Sequence, residues 1–127
     1  MAQSLNSSVD LTIKATSFAG LGTYGHVMVG NNAFEFYNER NPEDYIQIPW
    51  EEVDHIAAEV IGKKRIARFA IFVKSGHHFS FSTRDNIKTL RAVRNYVPED
   101  RLLRSESFFD VIKAGFRGIG RMITRRS

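Results

Sequence analysis

Several stretches of this 127-residue chain carry side chains able to do chemistry. In "WEEVDH", Glu51, Glu52, Asp54 and His55 stand almost side by side. Carboxylates and an imidazole that close could move protons as general acid and base. Without a G-x-S-x-G, H-E-x-x-H or Walker pattern around them, they read instead as a solvated turn, so no catalytic residue is assigned and no enzyme is expected. His77 and His78 sit in a hairpin turn, with His26 and His55 elsewhere. Histidine can ligate a metal, shuttle a proton or accept a phosphoryl group. Adjacent strand residues point to opposite faces, however, so the pair cannot easily share one ion. The histidines therefore read as turn and sheet-surface residues, and no metal or cofactor is expected. "GLGTYG" lacks the strand-to-helix context of a dinucleotide loop and reads as a turn. "GKKRIAR" groups Lys63, Lys64, Arg65 and Arg68 around a hairpin tip. It fits either an anionic-surface loop or a solvated turn.

The last stretch, "SFFDVIKAGFRGIGRMITRRS", is the most informative. On a wheel of about 100° per residue, Phe108, Phe109, Ile112, Phe116, Ile119, Met122 and Ile123 share one sector roughly 140° wide. Lys113, Arg117, Arg121 and Arg125 run along the opposite face. Ser107 suits the N-cap, and Asp110 suits the positive end of the helix dipole. Gly115, Gly118 and Gly120 oppose the helix, each by about 1 kcal/mol relative to Ala. Such a segment should be ordered only when a partner buries its apolar face, because each buried Phe or Ile contributes about 1.5–3 kcal/mol. Three partners fit: the protein's own barrel, a membrane surface or membrane protein, and nucleic acid. Basic amphipathic segments with aromatic anchors bind interfaces. Seven bulky apolar residues suit a nucleic-acid groove poorly.

Charge distribution supports a partner for this tail. Lys and Arg balance Asp and Glu over residues 1–106, so the whole net charge of +4 lies in residues 107–127. An acidic surface is the natural complement. The absence of cysteine excludes disulfides, thiolate zinc sites and a cysteine nucleophile, and fits a reducing cytoplasm. The N-terminus lacks the basic and apolar regions of a secretory signal, and Ala2 in place of Gly argues against N-myristoylation. No run of 18 apolar residues exists to span a bilayer. The expected location is cytoplasmic, peripheral at the inner face of the cell membrane.

The elements that would position these residues are mostly strands. "VDLTIKATSF" alternates, with Val9, Leu11, Ile13 and Ala15 on one face. "HVMVG" and "AFEFYN" flank Asn31-Asn32, a pair suited to positive φ in a tight hairpin. "YIQIPW" is a strand that Pro49 ends or places at an edge. "EEVDHIAAEVIG" fits helical spacing at Val53, Ile56, Ala57 and Val60 and also a strand with a bulge or bend; a turn at Glu51-Glu52 and then a strand is favoured, because "GKKR" follows as a hairpin loop into a clear strand. "IARFAIFVKS" and "HFSFST" follow, the latter with Phe79 and Phe81 inward. Asp85 then N-caps a helix over 85–97 with a stripe of Ile87, Leu90, Val93 (or Arg94) and Val97, stopped by Pro98.

This order predicts an α+β, mostly β, chain. Its expected plan is a pleckstrin-homology-like (PH-like, GRAM-like) small antiparallel barrel of about seven strands capped by a helix, plus a C-terminal amphipathic helix. The expected divisions are 1–97 for the barrel and capping helix, 98–106 for a linker, and 107–127 for the tail.

"QSLNSSVDLTIKATS", "NAFEFYNERNPEDYIQIPWEEVDHI", "LRAVRNYV" and "RSESFFDVIK" resemble a small family of proteins of unknown function in Gram-positive bacteria. Its genes lie beside mannose-class sugar phosphotransferase components, and it is sometimes labelled a mannose-operon accessory or regulator protein. The resemblance covers nearly the whole chain, most specifically "IQIPWEEVD" and "RSESFFDVIK". It implies a non-enzymatic accessory role tied to the permease (IIC and IID subunits) of a mannose-family phosphotransferase system. Phe108, Phe109, Ile112, Phe116, Ile119 and Ile123 would anchor the tail there, with Lys113, Arg117, Arg121 and Arg125 meeting an anionic surface. No small-molecule substrate is expected. A transcriptional regulator binding DNA and a homo-oligomeric adaptor, with the tail packed on a neighbour's barrel, are the rival readings.

Overall fold

Period-two alternation of apolar and polar residues dominates the chain, and it folds accordingly. The computed structural model describes residues 3–19, 22–62 and 65–105. They form β1 (Val9–Ser17), β2 (Thr23–Gly30), β3 (Ala33–Asn38) and β4 (Tyr45–Pro49). A 3-10 turn, Trp50–Glu52, leads to β5 (Val53–Ile61), β6 (Arg65–Val73) and β7 (His78–Thr83). Helix α1 (Asn86–Val93), a second 3-10 turn (Glu99–Arg101) and β8 (Leu102–Ser105) complete the described chain. The tail helix expected over 107–127 lies outside the described residues.

All strands join one mixed sheet in the order β4-β3-β2-β1-β7-β6-β5-β8, with β4 and β8 at its open edges. Among the described residues the fold is thus mostly β with one helix, as expected for that part, but the sheet holds eight strands and is not closed. The extra strand lies inside the segment expected to be a linker. After Pro98 the chain returns beside β5 and pairs with it in parallel, from Ile56 opposite Leu102 to Glu59 opposite Ser105. A four-residue strand flanked by charges has too little periodicity to announce itself.

The sheet curls so that strands distant in its order meet. Phe34 on β3 lies 4.9 Å from Phe81 on β7 and 6.0 Å from Phe69 on β6, ring centre to ring centre. Val27, Val29, Phe36, Ile48, Val53, Ile56 and Ile71 complete a core that Leu90, Val93 and Val97 close from the helical side. Pro49 ends the edge strand, and the register of β5 slips between Val53 and His55, the expected bulge. Gly76, at φ +99°, makes the β6–β7 turn, a conformation that costs glycine nothing. Gly25 lies inside β2, so the glycine-rich turn expected before it is shorter than "GLGTYG". A Cβ at Gly25 would stand 2.0 Å from the carbonyl oxygen of Tyr37.

Two local expectations need correction. Among the described residues no non-glycine has positive φ, so Asn31 and Asn32 do not make the turn by left-handed backbone. The N-terminal segment pins it instead. Asn6 Oδ1 accepts from the amides of Asn32 and Ala33, both at 2.8 Å, and Asn31 Oδ1 accepts from those of Ser7 and Ser8. Helix α1 is capped by Asp85, whose Oδ1 accepts from the Lys88 amide at 3.0 Å, but its buried face is rotated from the expected stripe. Ile87 is 38% exposed, while Asn86 and Thr89 are buried. The polar pair wins this face because the strands need its hydrogen bonds. Asn86 Nδ2 donates to the carbonyls of Ile66 and Ala67, Asn86 Oδ1 accepts from the Thr83 amide at 2.7 Å, and the Thr83 and Thr89 hydroxyls share a bond.

Candidate functional site

The expected tail residues, Phe108, Phe109, Ile112, Lys113, Phe116, Arg117, Ile119, Arg121, Ile123 and Arg125, lie outside the described residues, as do Lys63 and Lys64. Of the hairpin cations, Arg65 is exposed at the start of β6. Arg68 is occupied differently. Strand pairing sets it opposite Glu59, where its Nε lies 3.2 Å from Glu59 Oε1, and its guanidinium lies 5.7 Å from the centre of the Phe18 ring. The two arginines therefore do not present one basic cluster, and Arg68 is paired with a nearly buried carboxylate.

Glu51 and Glu52 occupy the exposed 3-10 turn, whereas Asp54 and His55 lie on β5. Asp54 Oδ2 lies 2.6 Å from His55 Nδ1. This contact fixes the Nδ1 edge of the imidazole against the carboxylate. Register then sets His55 opposite Phe72 on β6, and Phe72 opposite His78 on β7. The three rings stack as one row, His55 to Phe72 at 4.4 Å and Phe72 to His78 at 5.1 Å. Phe72 separates the imidazoles, so this row suits flat, π-stacked contact rather than shared ligation of an ion. His77 contributes its backbone carbonyl to the Val73 amide in the turn.

A second row crosses the other half of the sheet, and sequence reading missed it. Lys14 on β1 pairs with His26 on β2, His26 with Tyr37 on β3, and Tyr37 with Tyr45 on the edge strand β4. These side chains share the face opposite the phenylalanine core. Tyr37 and Tyr45 lie 6.0 Å apart, Tyr45 is 42% exposed, and Tyr24, two residues before His26 on the same face, is 70% exposed. Tyrosine in such a setting offers a rigid apolar body with a polar tip. Each residue was readable as outward-facing in its own strand. The row depends on four registers that local periodicity does not fix.

Glu35 was missed for a related reason. Alternation places it outward on β3, yet it is fully buried because residues 4–6 lie over it. Ser4 Oγ donates to Glu35 Oε1 at 2.5 Å, the Leu5 amide to Oε2 at 2.7 Å, and Asn6 Nδ2 to Oε1 at 3.1 Å. This carboxylate is a clasp for the N-terminal segment. Beside it, burial first, with help from the Glu35 charge, pushes the Tyr37 phenol above its ordinary value. Gln47 Nε2, which donates to the phenol oxygen at 3.1 Å, acts the other way.

The side of the core next to β8 holds an apolar groove. Ile56, Ala58, Val60, Ile66, Leu90 and Leu102 line it, Leu103 and Arg104 form its rim, and it encloses about 270 Å³. Among the described residues, no helix is long and apolar enough to cross a membrane.

Residues 1–116 match the family model described as Domain of unknown function (DUF956). Among solved structures, the chain is similar to the C-terminal domain of an unknown protein from Leishmania infantum. The TM-score is 0.62 at 9% identity, over 70% of this chain and 83% of that one, a likeness of fold alone. No curated protein matches the chain.

Proposed function

We propose a function from the premise that the chain belongs to the DUF956 family of unknown function: it is a non-enzymatic accessory or regulatory protein of a mannose-family sugar phosphotransferase system. It docks from the cytoplasm on the membrane permease (IIC and IID subunits), with its tail at the inner face of the membrane. The finer fold reading, a PH-like domain whose one helix covers the mouth of a curled sheet, belongs to this proposal, as does the link to mannose-class transporter genes. That link rests on the sequence resemblance carried by "IQIPWEEVD" and "RSESFFDVIK".

One observation carries the docking mode. The entire net charge of +4 sits in a segment whose apolar and basic residues separate onto opposite faces at helical spacing. Each cation near an anionic leaflet contributes about 1 kcal/mol, and the apolar sector supplies burial. Tyr24, Tyr37 and Tyr45 on one face support a protein contact for the sheet, because interface cores are enriched in tyrosine. Flotation with vesicles of phosphatidylcholine and phosphatidylglycerol tests the anchor. The full chain is expected to float with the vesicles and a chain ending at Ser105 to stay behind. Equal flotation of the two would sink the anchor. The DNA-binding rival predicts retarded operon DNA at low salt, with affinity falling steeply as salt rises.

A further inference from the structure

The groove between α1 and β8 is an incomplete piece of core. Ile56 at its base is buried, and Ala58, Ile66 and Leu102 pack against the core cluster, yet these three remain half-buried, as does Val60. All of them lie on the side of the sheet that α1 covers, and α1 is only eight residues long. The helix is too short to finish covering these side chains, so the groove has room for a further apolar segment of the chain.

The direction of β8 names the occupant. The strand runs parallel to β5 from Ile56 toward Glu59, so the chain leaves Ser105 heading along the groove toward Val60. The next residues are Glu106, Ser107, Phe108 and Phe109. Four residues reach at most about 14 Å, so Phe108 and Phe109 are within reach of the groove's Val60 end. Charge agrees. Glu106 and Asp110 are the only carboxylate side chains after Asp100, and Arg104 stands on the rim.

We propose that the groove is an internal berth for residues 107–112, in which Phe108, Phe109 and Ile112 seat against Val60, Ile66, Leu90 and Leu102. The berth and a membrane would compete for the same apolar residues, so the tail's anchor is stowed in the free protein and exposed when an outside surface binds it better. This extends the proposed docking role to its regulation, but the berth itself needs no membrane or permease to exist.

The chain has no cysteine, so a pair can be introduced without background. The full-length Val60→Cys/Ile112→Cys variant is oxidised mildly without lipid, and its disulfide is followed by non-reducing electrophoresis and mass spectrometry. The comparison is the same pair carrying Phe108→Asp and Phe109→Asp, which keeps the tether identical. A berth predicts a monomeric disulfide, formed at a rate independent of protein concentration and at least about tenfold faster than in the comparison, the ratio that 1.4 kcal/mol of docking would give. Equal rates overturn it, and so does cross-linking only between molecules, which would make the occupant a second copy's tail. If Val60→Cys does not fold, Arg104→Cys at the rim takes its place. Flotation failing while this cross-link forms would sink the membrane reading and leave the berth standing. The reverse pair of results would do the opposite.

Discussion

Asn6→Ala should be among the most damaging changes available on the surface of this protein. The side chain makes four hydrogen bonds at once. Its Oδ1 accepts from the Asn32 and Ala33 amides at 2.8 Å, and its Nδ2 donates at 3.1 Å to the Ala33 carbonyl and to Glu35 Oε1. Water can replace Asn6 at exposed Asn32. It cannot easily do so at Ala33 and Glu35, both fully buried. A buried polar group left without its partner costs about 1–3 kcal/mol, more when charged. Glu35 keeps its Ser4 and Leu5 donors, so the total should be about 2–4 kcal/mol. At about 4 °C per kcal/mol, where the ranges for smaller and larger domains meet, thermal unfolding should begin about 8–16 °C lower. Asn31→Ala is the control. It removes bonds to Ser7 and Ser8 that are solvent-exposed, and should cost less than about 1 kcal/mol. Urea denaturation of both variants gives the comparison. If Asn6→Ala lies within about 0.5 kcal/mol of the parent, the range of an ordinary surface change, the N-terminal segment does not clasp Glu35 in solution and the argument fails.

Other outcomes follow from the same geometry. Phe81→Ala removes the ring that touches Phe34, Phe36 and Phe69, and should cost about 3–5 kcal/mol in urea denaturation. Asp85→Ala deletes the helix cap and should cost about 0.5–2 kcal/mol, with Asp85→Asn recovering most of it. The Tyr96 hydroxyl donates to Asp10 Oδ2, and that bond first of all holds its phenol above the ordinary value. A raised folded value means the bond's contribution is fully present below about pH 10 and is lost as pH rises through the folded value. Ultraviolet titration of tyrosinate should show one phenol shifted back toward about 10 in Asp10→Asn. Reversing Lys113, Arg117 and Arg121 to Glu should abolish flotation with anionic vesicles, and raising salt should weaken it in the parent.

What could be read without coordinates follows the range of the forces involved. Strand alternation, the Asp85 cap and the Pro49 stop are decided by neighbours in the chain and were legible, while the bulged strand after Val53 was the favoured of two readings. The burial of Glu35 and the rotation of α1 were not. They are set by Asn6 and by the carbonyls of Ile66 and Ala67, partners far away in sequence. Strand β8 was hidden because the strand it pairs with, β5, lies some 46 residues earlier. The candidate surfaces divide the same way. Charge asymmetry exposed the tail at once, while the Lys14–His26–Tyr37–Tyr45 row and the Arg68–Glu59 pair depend on register across strands.

The most direct test of the central claim is recovery of the mannose-family permease from detergent-solubilised membranes with the tagged full chain, against the chain ending at Ser105. The account predicts that the IIC and IID subunits co-purify with the full chain and are strongly depleted with the shortened one. Equal recovery with both would contradict the tail's role, and permease absent from both would contradict the proposed partner.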